Sequence, residues 1–583
     1  MSARQSSAAG YAAPPAAGPV PSVVIAGTAS QPRQNWILDP AQDALFIIVA
    51  PLLVLGLALA AFHSMGAADA AALVILAHMV LTVAHHLPTF IRIYGDVELF
   101  RRFKWSFLLG PLVPLAFATC VLVYMNARQV PVENFLYLFV LLALWDPYHF
   151  LMQHYGFMRI YDRPNLAPRR LAARMDLALC VSWFAFIMLA STDWLVGILD
   201  DLYTTARLPA YLAVPAAAVP LVTCLMQAIA SGVTVGYGMY LLWCRRLGYF
   251  ISWAKLALFA ITFGVMYLAY TPNPWIRGLA PGWSFKVGFA AVGIVHMTQY
   301  LAIVWRYDRS LAARPGRSRP GLFTRLHARG GLLIGVGYVL LCLSYGELLT
   351  GTHGGRLLMS VVMALGFTST LLHYYFDGFI WKVRHQQNRE NLAPDSVTGP
   401  AGNSVSWWSS GAGRGPGAML LRQTLYFAVP MAVLTAGAVM LWTGPGVNYL
   451  RHMAQAQTFY QQGQTEPARA EARLALDSMD RQLPFARRLA ALQPTSAREA
   501  ALAILLYNRA RYRELLLPTL DGQAPDAAAL ERYRAGLDEA VAALDRAIRL
   551  NGPLGQAGNE KMTEDDARRL LDKWRAERAR LQA

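Results

Sequence analysis

Twelve histidines occur in the chain, and seven of them fall inside long apolar runs. His78, His85 and His86 share one run, His149 and His154 a second, His296 lies in a third and His373 in a fourth. Ionisable side chains at membrane depth are costly and mark functional positions. Imidazole is a good ligand for iron, copper and zinc. On a helix, His78 and His85 are two turns apart on one face, and His86 points about 100° away. His149 and His154 share nearly one face of theirs. Four helices giving one or two imidazoles each could enclose one or two metal ions. Asp146, Asp162, Asp308 and Asp377 stand nearby in sequence as carboxylate ligands or as groups that orient the imidazoles from behind. So many nitrogens argue against magnesium.

The text around these histidines repeats. His85-His86-Leu87-Pro88-Thr89-Phe90-Ile91-Arg92-Ile93-Tyr94-Gly95-Asp96 has a counterpart in His154-Tyr155-Gly156-Phe157-Met158-Arg159-Ile160-Tyr161-Asp162. Gln299-Tyr300 with Trp305-Arg306-Tyr307-Asp308 is a third copy, and His373-Tyr374-Tyr375-Phe376-Asp377 with Lys382 is a looser fourth. Each joins a His or Gln, an aromatic residue, a basic residue and an Asp, which suggests internal duplication. Arg159, Arg306 and Lys382 are candidates to hold a phosphate headgroup at the interface. Tyr155 and Tyr374 are candidates to line an apolar substrate slot.

The elements that position these residues follow from composition. The chain has 583 residues, of which 55% are hydrophobic and only 15% charged. A soluble domain carries about 25% charged residues, so a purely water-soluble protein is excluded. About eleven apolar runs have the length of a membrane-spanning helix: 44–62, 71–91, 105–125, 134–155, 173–192, 216–244, 249–270, 284–305, 329–350, 357–381 and 420–442. The sixth, with Gly232, Gly236 and Gly238, reads as one kinked helix or two pieces. The expected fold is all-α, a polytopic helix bundle over 36–443. Residues 1–35, rich in Ala, Pro, Ser and Gly, read as a disordered cytoplasmic tail.

Lys and Arg gather after the even-numbered spans: Arg101, Arg102 and Lys104; Arg163, Arg169 and Arg170; Arg245 and Arg246; Arg309 to Arg325; Arg384 and Arg389. The positive-inside rule then puts the N-terminus in the cytoplasm and residues 444–583 outside the cell membrane. The same bias accounts for the net charge of +17 without nucleic acid. Five cysteines, none in a CxxC or CxxCH pattern, exclude zinc ribbons and c-type haem attachment. Residues 398–418, with Gly411, Gly413, Gly415 and Gly417, are followed by no Walker Lys-Ser/Thr, so they read as a flexible linker.

Residues 444–583 are polar and helical in period. Phe459-Tyr460-Gln461-Gln462-Gly463, Tyr507-Asn508-Arg509-Ala510-Arg511-Tyr512 and Ala547-Ile548-Arg549-Leu550-Asn551-Gly552-Pro553 resemble tetratricopeptide repeats. The resemblance implies a soluble helical-repeat domain that docks a protein partner.

Val83-Ala84-His85-His86 and His154-Tyr155-Gly156-Phe157-Met158-Arg159 resemble stretches of membrane-bound non-haem di-iron enzymes, the alkane hydroxylases and fatty-acid desaturases. The resemblance implies iron held by histidines near the cytoplasmic ends of membrane helices, with His85, His86 and His154 at matching positions. The expected function is a metal-dependent oxidoreductase (oxygenase, hydroxylase or desaturase) acting on a lipid or other apolar substrate. It would use one or two iron ions and an external electron donor. Two other readings stay open. One is a haem or copper electron-transfer protein, which needs facing imidazoles on two helices. The other is a multi-span lipid-linked transferase, a transporter or an assembly scaffold, with the tail as its working end.

Overall fold

The structure is a computed structural model. It describes residues 33–128, 136–191, 218–271, 273–312, 332–350, 355–380, 416–443, 448–552, 554, 556–557 and 560–582. Apart from one two-residue antiparallel pair, Gln556–Ala557 with Glu560–Lys561, the regular structure among these residues is helical.

The apolar runs become helices because a membrane-length run satisfies its backbone polar groups only within itself. They are α1 (Ala50–Ser64), α2 (Ala67–Ala84), α3 (His86–Gly95), α4 (Lys104–Ala127), α5 (Leu136–Tyr161), α6 (Arg169–Ala190), α7 (Ala218–Arg246), α8 (Trp253–Tyr270), α9 (Phe285–Ala312), α10 (Leu332–Thr350), α11 (Arg356–Ile380) and α12 (Pro416–Thr443). Among the described residues, nine helical stretches are long and apolar enough to cross a membrane, or ten if one bent pair counts as a span. That pair is Pro40–Ile48 with Ala50–Ser64, bent by 48°. Helix α5 occupies the fourth expected position but carries Asp146, Pro147, His149, Gln153, His154 and Arg159. The sixth expected span is a single helix, α7.

Two local breaks shape the bundle. Pro88 has no N–H to offer the carbonyl of Ala84, and α2 gives way to α3 at His85. At the first span, the buried Asp43 carboxylate accepts the N–H groups of Ile37 at 2.7 Å and Leu38 at 2.8 Å, and the Tyr161 hydroxyl at 3.0 Å. This ties the entering chain to the end of α5.

Helix α9 is the most buried of these spans, and it packs against α1, α2 and α8. Close crossings use glycine where no Cβ would fit: at Gly346 of α10 a Cβ would overlap the Val80 carbonyl of α2. One apolar core joins α4, α11 and α12 around Phe107, Phe376 and Phe427, and another joins α5, α6 and α8 around Met158, Tyr161 and Leu258.

The polar C-terminal part forms α13 (Asn448–Gln461), α14 (Thr465–Leu492), α15 (Ser496–Arg511), α16 (Ala527–Arg549) and α17 (Glu564–Arg580). Each of these packs on the next in the chain. Small residues such as Ala472, Ala503, Ala543 and Ala547 let the helices approach, and Trp574 closes the core, stacked on Tyr507 at 4.6 Å.

The expected N-terminal tail and the Gly-rich linker lie outside the described residues, save 33–35 and 416–418. His353, Lys382 and His385 also lie outside them.

Candidate metal centre

The break at His85 lets two consecutive imidazoles turn inward, which a regular helix would splay by about 100°. Both are buried, and their rings lie 4.6 Å apart. Opposite them, α11 presents Ser369, His373 and Asp377 at four-residue spacing on one face. The Ser369 hydroxyl lies 2.9 Å from His86 Nδ1. His373 Nε2 lies 3.1 Å from His85 Nε2 and 3.6 Å from Asp377 Oδ2. Helices α5 and α9 complete the cluster. The His149 ring lies 5.0 Å from that of His296 and 5.5 Å from that of His373. The His85 ring lies 5.4 Å from that of His296.

Two sets of ligand atoms each fall within 4.8 Å of one another, His85 with His86 and His373, and His149 with His373 and Asp377. Two nitrogens bound to one tetrahedral ion at about 2.0–2.1 Å stand about 3.3 Å apart. The 3.1 Å and 3.6 Å separations around His373 Nε2 bracket that value. The first set is buried and the second partly exposed; each could hold a metal ion, and His373 is common to both.

The backbone decides which nitrogen faces inward on two rings. His85 Nδ1 lies 3.3 Å from the Leu81 carbonyl, and His154 Nδ1 lies 3.1 Å from the Phe150 carbonyl. A carbonyl only accepts, so each Nδ1 carries the hydrogen and each neutral ring turns a bare Nε2 inward. His154 Nε2, His149 Nε2 and His296 Nδ1 are buried with no hydrogen-bond partner. His149 Nε2 stands 3.7 Å from Asp377 Oδ2, and all three nitrogens on α5 and α9 could serve as ligand atoms.

No protein-family model, no curated protein and no solved structure matches this chain. The reading of the site rests on its own geometry.

The remaining candidates from the sequence sort by place. His154 packs between Phe150 and Phe157, at 4.2 Å and 5.8 Å, one turn beyond His149. His78 sits over Gly293, where a Cβ would overlap its ring, and against Phe289 at 5.5 Å. It belongs to neither ligand set. Asp146 accepts the Tyr374 hydroxyl, and the Tyr374 ring lies 5.2 Å from that of His149, so both flank the cluster. Asp308 is ion-paired with Arg92 at 2.6 Å. Asp162 is bound by Lys255 at 2.7 Å and Arg159 at 2.9 Å. Both carboxylates stabilise helix contacts and are not among the metal-holding sets. Arg159 also meets Asp176 at 2.5 Å, and Tyr155 is half-buried beside it. Arg306 is exposed.

Some participants carry no sequence signal of their own. Lys255 is a single charge inside an apolar run, yet it lies 3.2 Å from Asp176, with exposures of 1% and 0%. Thr89 and Ser369 touch the His373 and His86 imidazoles, and Tyr300, read in sequence only as part of a repeat, donates its hydroxyl to Asp377 at 3.0 Å. Gln299 is spent on structure, donating to the Ile47 carbonyl at 2.8 Å.

Proposed function

We propose that the chain is a membrane oxidoreductase built around a histidine-held metal centre and acting on a lipid or other apolar substrate. The observation that carries this reading is the convergence of His85, His86, His149, His296 and His373 with Asp377 between helices of membrane length. The chemistry of the donor set fits iron. It is rich in neutral nitrogen, carries one or more carboxylates, and leaves buried nitrogens without hydrogen-bond partners. His85, His86 and His373 would hold one ion, with His149, His296, His154 and Asp377 at its open side or around a second ion. Bound iron would supply the electron transfer and dioxygen activation that side chains alone lack.

The protein's own residues supply the rest. The i−4 carbonyls of Leu81 and Phe150 fix the His85 and His154 rings. Phe150 and Phe157 keep water from the site and line its apolar wall. Tyr374, held by Asp146, places a hydroxyl at the edge where His149 and Asp377 retain some exposure. The close ring packing supports iron or copper over haem, because a porphyrin needs a flat slab between its two axial imidazoles.

The wider reading is an eleven-span protein of the cell membrane. Its N-terminus is cytoplasmic, and its tetratricopeptide-like tail lies outside and docks a protein partner. A separate electron donor would serve the centre.

The test is an isotope experiment in the producing cell. Lipid extracts of cells expressing the wild type or the double variant His85→Ala/His373→Ala are compared by mass spectrometry after growth under ¹⁸O₂. The reading expects a lipid that gains ¹⁸O or loses two hydrogens only with the wild type. Identical lipid profiles would overturn the assigned substrate class.

A further inference from the structure

The Asp377 carboxylate makes contacts at both of its oxygens. Oδ2 lies 3.6 Å from His373 Nε2 and 3.7 Å from His149 Nε2. Oδ1 takes the Tyr300 hydroxyl at 3.0 Å. A carboxylate has no hydrogen to give, so Tyr300 donates there. The Tyr300 oxygen also lies 2.6 Å from the Thr89 hydroxyl. With its one hydrogen already on Asp377, Tyr300 accepts at this contact and Thr89 donates. Thr89 Oγ1 in turn lies 3.2 Å from His373 Nδ1. Its hydrogen is spent on Tyr300, so Thr89 accepts and Nδ1 carries the hydrogen. A neutral imidazole with its hydrogen on Nδ1 has a bare Nε2. The Leu81 carbonyl sets His85 in the same way. The two Nε2 atoms that face each other at 3.1 Å therefore both present lone pairs, and a cation between them satisfies both.

We infer that Tyr300 and Thr89 are positioning residues that carry the orientation set by Asp377 to His373, fixing its Nδ1–H tautomer so that His373 and His85 offer two bare Nε2 atoms to one divalent transition-metal ion. This rests on the metal reading above and deepens it, since it assigns the readiness of the site for a cation to two hydroxyls acting in series behind His373. Thr89, Tyr300 and His373 are all buried, which keeps bulk water from competing for these contacts. In Tyr300→Phe the Thr89 hydrogen is released to His373 Nδ1. The favoured tautomer is then the one with its hydrogen on Nε2, which bonds to His85 Nε2 and occupies the place of the cation.

The test uses the full-length protein in detergent, stripped with a chelator and titrated with Co²⁺, whose visible band reports its ligands. Wild type, Thr89→Ser, Thr89→Val, Tyr300→Phe and the double variant Thr89→Val/Tyr300→Phe are compared, with thermal unfolding of each metal-free form as the folding control. Thr89→Ser should bind like the wild type. Thr89→Val and Tyr300→Phe should each bind about 10- to 100-fold more weakly, the usual loss when a group behind a ligand is removed. Because the two hydroxyls act in series, the double variant should bind about as weakly as Thr89→Val alone. If Thr89→Val fails to fold, the nearly isosteric Tyr300→Phe decides alone. If Tyr300→Phe or Thr89→Val binds Co²⁺ like the wild type, if Thr89→Ser binds as weakly as Thr89→Val, or if the two losses add in the double variant, the series is overturned and the metal centre stands. If the wild type takes up no Co²⁺, the metal centre itself is overturned, and this inference with it.

Discussion

His85 Nε2 stands 3.1 Å from His373 Nε2, although the two residues are 288 positions apart in the chain. The approach depends on the break at His85, on the close seating of α2 against α9 and α10, and on α11 lying across α3. Two neutral imidazoles so placed share one hydrogen or one cation, and further rings within 5.5 Å favour the cation.

The ligand sets divide the histidines experimentally. His149→Ala should lower metal affinity by about 10- to 100-fold, the scale for losing a supporting contact, or abolish it. His78→Ala should leave metal content unchanged, because His78 packs on Gly293 and Phe289. Metal content of the two purified variants checks the pair, and metal loss in His78→Ala would redraw the centre.

Two aspartates of similar sequence context should behave oppositely. Asp377→Asn removes the one carboxylate in the metal-holding sets and should weaken metal binding while changing stability little. Asp308→Asn removes the negative charge that faces Arg92 at 2.6 Å and should destabilise the fold without altering metal affinity. Thermal unfolding and metal titration on each variant separate the outcomes.

The membrane-length runs and their histidines stand out because apolarity at 20-residue length has one main structural use. Which aspartate meets the cluster does not stand out. Asp308 and Asp377 both follow an aromatic residue near a helix end, and only the rotation of α9 and α11 about their axes turns Asp377 to His149 and Asp308 to Arg92. Pro88 announces the break beside His85, but the consequence that two adjacent imidazoles face inward needs the neighbouring helices. Lys255 is invisible in the sequence because one charge hardly alters an apolar run, while Asp162 and Asp176 come from two other helices.

Lys255→Met should destabilise the bundle by about 3–5 kcal/mol, the scale for leaving a buried charge unpaired. Asp162 and Asp176 would then share a single cation, Arg159. Unfolding in detergent measures the loss, and metal content per folded molecule should stay at the wild-type level.

The polar C-terminal part offers a pH test. The Thr563 hydroxyl, with Arg569, holds the Asp566 carboxyl down to about 2 at the start of α17. A depressed carboxyl contributes fully above its unfolded value of about 3.9 and loses that contribution as pH falls through the folded value. After correction for intrinsic chemistry, hydrogen exchange of α17 in the intact protein should stay level above about pH 4 and speed up between about pH 4 and pH 2. Thr563→Ala should raise the level at neutral pH, through loss of a cap of about 1 kcal/mol.

Metal analysis of the purified protein asks whether the histidine cluster holds a metal ion. The wild type and the double variant His85→Ala/His373→Ala are prepared identically in detergent, assayed for bound metals by mass spectrometry and scanned in the visible range. Near-stoichiometric iron is expected in the wild type, with no Soret band and with loss of the metal in a variant that still folds. Metal-free wild type, or iron retained in the double variant, would contradict a histidine-held metal centre.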